Sequence, residues 1–108
     1  MIVVSNSPKM EDSEITVGTR CTEICWSDRY VWEIIYKVDK KTLVARKMNA
    51  KNVGGQYSQD WELSSNPAGQ IITLRRYKDG WYEKNYWGKK ETNKFIMGME
   101  DYYYDWSF

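Results

Sequence analysis

The side chains best suited to recognising something are aromatic and cationic: Trp26 with Asp28 and Arg29, then Arg46, Tyr57, Trp61, Arg76, Trp87, and Tyr104 with Trp106. A guanidinium meets a phosphate or a carboxylate, and a ring offers a plate on which a base or another ring can stack. This is binding chemistry. Histidine is absent, which removes the commonest general base, zinc ligand and proton shuttle together. Asp60, Glu62, Glu83 and Asp105 are not spaced to fix a catalytic pair, Ser58 and Ser64 have no base beside them, and Gly54-Gly55 lacks the lysine and helix start of a phosphate loop. Cys21 and Cys25 lie four apart, which along a strand is roughly 13 Å, too far for a disulfide. They read as reduced core residues, without the spacing or further ligands of a metal site. The expectation is a non-enzymatic chain with no cofactor and no metal.

Each of these residues also has a plainer reading. Asp28 can serve a turn by bonding its own backbone, with Arg29 in solvent. Arg46-Lys47, Lys51, Arg75-Arg76, Lys78 and Lys89-Lys90 either gather beside rings such as Tyr57, Trp61, Tyr77, Trp81, Tyr86 or Trp87, or lie scattered over a solvated surface while the rings fill the core. Arg75 and Arg76 must point to opposite faces of any strand that carries them.

The elements that position these residues read as β. From Tyr30 the bulky residues fall on every second position (Tyr30, Trp32, Ile34, Tyr36, Val38), as a pleated strand with one buried face requires. Asp39-Lys40-Lys41 is a short polar turn, and Thr42 to Lys47 returns as an antiparallel partner. Thr19 to Trp26 precedes them as a third strand, reached through a turn at Gly18. Met48 to Asp60 has no period and reads as a long loop, the first place to look for a site; one or two turns of helix are allowed near Asn49 to Val53 or Met97 to Asp101. Asp60 to Leu63 is a short strand, and Gln70 to Lys78 a longer one. Asp79-Gly80 is a strong hairpin signal into Trp81 to Asn85. Tyr86 to Lys94 reads as a second loop, and Phe95 to Gly98 as a short strand. The aromatic run Tyr102 to Phe108 carries too much apolar area to stand in water, so it docks on the barrel or on a second copy of the chain.

These strands imply an all-β, mainly antiparallel fold: a small SH3-like or OB-like barrel with long loops and little helix. At 108 residues the chain makes a single domain. Residues 1–14, with a short strand at Ile2 to Val4, then read as a flexible N-terminal arm. Lys and Arg number 16 against 15 Asp and Glu, so the whole molecule lacks the basic excess that drives non-specific nucleic-acid binding. No apolar run approaches the about 20 residues of a membrane span, and Met1 to Val4 is too short for a signal peptide's apolar region. A cytoplasmic setting is expected.

Several landmarks together resemble a family of small proteins from phages and prophages of Gram-positive bacteria. They are Trp26-Ser27-Asp28 opening the long strand, Lys41-Thr42-Leu43-Val44 in its partner, the loop Gly55 to Glu62, Asn66-Pro67-Ala68-Gly69, Asp79-Gly80-Trp81, and Tyr103-Tyr104-Asp105-Trp106-Ser107-Phe108. Relatives often place a histidine after Ser-Asp, where this chain has Arg29-Tyr30. The resemblance implies a phage setting in a host bacterial cell, where small non-enzymatic proteins are often counter-defence factors. The surplus of rings beside Arg and Lys without a catalytic set then points to sequestration of a phosphate-bearing nucleotide signal in a pocket made by the long loop and the aromatic C-terminus. Two alternatives stay open: a protein-protein inhibitor of a host defence nuclease, in the manner of an anti-CRISPR protein, and a nucleic-acid-binding module.

Overall fold

A computed structural model describes residues 10–85 and 87–106. Its strands are β1 (Arg20–Ile24), β2 (Arg29–Asp39), β3 (Thr42–Lys47), β4 (Asn49–Asn52), β5 (Trp61–Ser64), β6 (Ile71–Tyr77), β7 (Gly80–Lys84) and β8 (Lys90–Met97). β1, β2, β3, β6, β7 and β8 close into an antiparallel barrel, while β4 and β5 form a two-stranded sheet of their own. The small antiparallel barrel expected from the sequence is what the chain forms. Its order is a meander, closed by pairing of β1 with β8 (Cys21 opposite Met97) and lacking the Greek-key connection of an OB barrel.

Alternation builds the interior. Cys21, Trp32, Ile34, Leu43, Ala45, Ile72, Leu74, Trp81, Phe95 and Met97 form one buried cluster, joined by Ile15. Register explains the set, because Cys21 faces Trp32 and Met97, Ala45 faces Ile34 and Ile72, and Trp81 faces Phe95. Residues of the other parity on β1, β2 and β8 are buried as well: Thr22 lies opposite both Val31 and Ile96, and all three are shielded from solvent. Their cover is the C-terminal segment. The Thr22 hydroxyl donates to the Met99 carbonyl at 2.7 Å and accepts the Asp101 N–H at 3.0 Å.

In several places the chain departs from the sequence reading. Tyr36 and Val38 do not continue the buried row of β2, because a bulge between Ile34 and Tyr36 reverses the parity and turns both outward. Met48 to Asp60 is not one loop, since Asn49–Asn52 is strand β4, paired with β5, and no helix forms there or at Met97 to Asp101. β8 begins at Lys90, inside the expected second loop. The hairpin after β6 turns on Lys78-Asp79, with Gly80 already paired to Tyr77. Cys25 lies half-buried beyond the end of β1 and is not a core residue.

The expected arm at residues 1–14 lies mostly outside the described residues, as does the strand at Ile2 to Val4. Of its described part, Asp12–Glu14 is a 3-10 turn and Met10 packs on the core, so this piece is held in place. Asp12 accepts the Trp81 Nε1–H at 3.0 Å and the Arg76 Nε–H at 2.8 Å.

Candidate binding site

The C-terminal segment gathers most of the residues that the sequence singled out. Residue Tyr103 forms two backbone hydrogen bonds with Arg29, at 2.8 and 2.9 Å, which adds a short bridge outside β2. Asp28 closes the β1–β2 turn through its carbonyl, which accepts the Cys25 N–H at 3.0 Å. Its carboxylate reaches away from the turn, taking the Asp105 N–H at 2.6 Å on one oxygen and the Tyr30 hydroxyl at 3.2 Å on the other. This is a strap anchor, in place of the local turn bond that the plainer reading expected. Arg29 is not in free solvent either, because its guanidinium pairs with Asp101.

The β4–β5 hairpin clamps the strap from the other side. Gln59 donates to the Tyr104 carbonyl at 2.8 Å and accepts its N–H at 3.2 Å, while Trp106 Nε1 donates to the Ser58 carbonyl at 3.2 Å. The loop is preset for this: the Asn52 side chain accepts the Gly54 N–H and donates to the Ser58 carbonyl. A Cβ at Gly54 would come within 2.2 Å of Ser58 Oγ and 2.3 Å of Asp60 Oδ2, so any larger residue would push these side chains from their hydrogen bond. Tyr57 holds a left-handed φ of 62° at the tip, an uncommon conformation for a side chain of that bulk.

The rings meet in this region. Trp61 lies 4.6 Å from Tyr102 and is nearly parallel to Trp106 at 6.3 Å, while Tyr57 and Tyr104 both meet Trp106 edge-on, at 5.6 and 4.8 Å. Tyr102 in turn meets Tyr30 at 5.7 Å, and the Lys47 ammonium sits 4.0 Å above the Tyr30 ring. Much of the aromatic surplus is therefore spent on fixing the strap. Burial, followed by the negative charge of Asp28, pushes the Tyr30 phenol up to about 12, so it stays protonated and keeps donating to Asp28.

What stays exposed is the rim. Trp26 is fully exposed at the β1–β2 turn, Tyr57 is 59% exposed and Tyr103 43%. Beside Trp26 lies a cleft of about 380 Å³ lined by Ile24, Cys25, Trp26, Ser27, Asp28, Arg29 and Tyr103. Of the residues expected to form one site, Trp26, Asp28, Arg29, Tyr57, Trp61, Tyr104 and Trp106 come together on the strap. Arg46, Arg76 and Trp87 do not join them. Arg46 lies on β3 at 3.6 Å from Glu33, Arg76 lies on β6 against Asp12, and Trp87 belongs to the β7–β8 turn, exposed. Tyr103, Tyr30, Ser58 and Gln59 are not among the binding residues singled out from the sequence. Tyr103 had a signal in the aromatic run that had to dock, and Ser58 and Gln59 in the long aperiodic stretch; Tyr30 read only as part of the β2 period.

Among the described residues no group of three or more His, Cys, Asp or Glu is placed to hold a metal ion, and no helix is long and apolar enough to cross a membrane. Burial, then the charge of Glu23, pushes the Cys25 thiol up to about 12, so it is a poor nucleophile at neutral pH. Comparison with known proteins finds no family model, no curated protein and no solved structure that matches the chain.

Proposed function

We propose that the chain is a non-enzymatic binding protein that engages another protein through the β1–β2 turn and the strap beside it. One observation carries this reading: Trp26 stands fully exposed on a turn whose backbone is tied down on both sides, flanked by Tyr103. An indole left in water costs solubility, and rigid exposed tryptophan and tyrosine are the side chains that dominate protein-protein hot spots. The cation beside it argues the same way. Arg29 is already paired with Asp101, so a phosphate entering the cleft would have to break that pair. In the phage setting that the sequence suggests, the partner is a host defence enzyme held inactive.

The test is affinity capture from lysate of a host cell, with wild-type chain and Trp26→Ala side by side. A stoichiometric protein retained by the first and lost by the second supports the reading. Retention that survives Trp26→Ala sinks it.

Sequestration of a nucleotide is the second reading, favoured by the volume of the cleft beside Trp26, which falls in the range of small-molecule sites. It requires a thermal shift with a nucleotide panel. A ligand at 100 times its dissociation constant adds about 2.7 kcal/mol of stability, and a flat panel removes this alternative.

A further inference from the structure

We propose that the opposite end of the barrel, at the β2–β3 turn, binds single-stranded nucleic acid. This surface is independent of the one beside Trp26. β2 runs from Arg29 to Asp39, so at about 3.3 Å per residue its two ends are roughly 30 Å apart.

Cations collect at the Asp39 end. Lys40, Lys41 and Arg75 line a shallow cleft of about 330 Å³ with Asp39, and Lys37 and Lys40 line another of about 350 Å³ with Asp12 and Ser13. Among the described residues, Arg20, Arg29, Arg46 and Arg76 each form an ion pair with a carboxylate, and Lys37, Lys40, Lys41 and Arg75 form none. Lys37 donates to the Ile15 carbonyl and Arg75 to Thr42 Oγ1, and the Arg75 charge also acts on nearby Asp39 without an ion-pair contact. The carboxylates that line these two clefts each accept hydrogen bonds. Asp39 accepts the Lys41 N–H at 2.8 Å, and Asp12 is held by Arg76 and Trp81. In these two clefts Lys37, Lys40, Lys41 and Arg75 outnumber the carboxylates of Asp12 and Asp39.

A flat ring adjoins the cations. The bulge in β2 turns Tyr36 outward, 60% exposed. Register places Tyr36 beside Val44, Val44 beside Thr73, and Arg75 two residues along the same face of β6. An open sheet face with a phenol ring, bordered at one edge by unpaired Lys and Arg, is the arrangement on which a base stacks while the phosphates follow the cations. A duplex keeps its bases stacked out of reach of Tyr36, and an acidic peptide would use the cations and leave the ring idle. A single strand uses both.

The experiment is fluorescence anisotropy with the whole chain and labelled oligothymidylate or oligouridylate of about 12 nucleotides, within the usual range of site sizes, from low salt upward. Saturable binding is expected, with a log–log salt slope of about −0.7 for each phosphate contacted. Lys40→Glu/Lys41→Glu should weaken it about tenfold or more and flatten the slope by about 1.4, two contacts' worth. Tyr36→Ala should weaken it about fivefold or more with the slope unchanged, since stacking carries no counterions. Lys84→Glu/Lys89→Glu makes the same charge reversal away from this end and should change affinity about twofold at most, because distant charges are screened. Preference for the uridylate identifies RNA, and preference for the thymidylate identifies DNA. The proposal is overturned by lack of saturable binding at low salt, by Tyr36→Ala binding like wild type, by equal loss in the control pair, or by polyglutamate displacing the oligonucleotide as well as a second oligonucleotide does. That last result assigns the surface to an acidic protein segment.

Discussion

At the scale of single residues, Asp12 shows how one exposed carboxylate can serve a buried group. Trp81 is buried, and its indole N–H has Asp12 as acceptor. Burial alone would raise this carboxyl; the hydrogen bonds from Trp81 and Arg76, together with the Arg76 charge, outweigh it and hold Asp12 below its ordinary 3.8. A carboxyl lowered on folding stabilises the fold above the unfolded value and loses that contribution as pH falls through the folded one. Acid titration followed by circular dichroism should therefore show wild type losing stability below pH 3.8 more steeply than Asp12→Asn. Asp12→Ala, which strands the indole N–H, should cost about 1–2 kcal/mol in urea denaturation, discounted for the solvent that reaches the carboxylate. Cys25 works in the other direction. Its thiol is raised to about 12 from 9.0, so the folded chain binds more protons than the unfolded one between those values, and stability should fall as pH rises past 9.0. Alkylation at pH 8 should be far slower in the folded chain than in urea, and equal rates would refute the assignment. None of these partnerships was legible in the sequence, because Asp12 lies 69 residues from Trp81 and only the closed fold brings them together.

At the scale of elements, legibility followed the apolar period. β2, β3 and β6 could be read because Trp32, Ile34, Leu43, Ala45, Ile72 and Leu74 alternate with other residues. β4 and the start of β8 could not, because Asn-Ala-Lys-Asn and Lys-Glu-Thr-Asn have no buried face to announce them. Hydrogen bonding to β5 and β7 makes these strands, and that leaves little trace in composition. The outward turn of Tyr36 was hidden for a related reason: a bulge is a property of two strands, invisible in either alone. The strap was foreseen only as a need, since its aromatic density demanded cover while its anchors lie 72 to 79 residues upstream. Thr22→Val tests those anchors at nearly constant volume. It removes the hydroxyl shared by Met99 and Asp101 and should cost about 1–3 kcal/mol, since the Met99 carbonyl loses a buried donor. Hydrogen exchange at the Tyr103 and Arg29 amides should speed up in the variant while β3 and β6 keep their protection. Uniform loss across the barrel would mean that the strap does not open as a separate unit.

At the scale of the whole molecule, the barrel keeps its inner cluster and its strapped outer face on opposite sides of the same strands. Phe95 belongs to the first, in edge contact with Trp32 at 6.0 Å. Phe95→Ala should cost about 3–5 kcal/mol through the cavity it leaves, and it should lower the denaturation midpoint of every probe together. Separate midpoints for tryptophan fluorescence and far-ultraviolet circular dichroism would show that the two faces unfold apart.

Closure of the sheet has a consequence for synthesis. β1 finds its second neighbour only in β8, with Cys21 opposite Met97, and at translation rates of roughly 5–20 residues per second the gap lasts about 4–15 s. Throughout that interval the nascent chain carries an open β-edge beside Cys21 and Thr22, the kind of template that chaperones guard and that crowded ribosomes turn into aggregates. Yield in cells should thus respond to growth temperature and chaperone supply more strongly than the stability of the purified barrel would suggest.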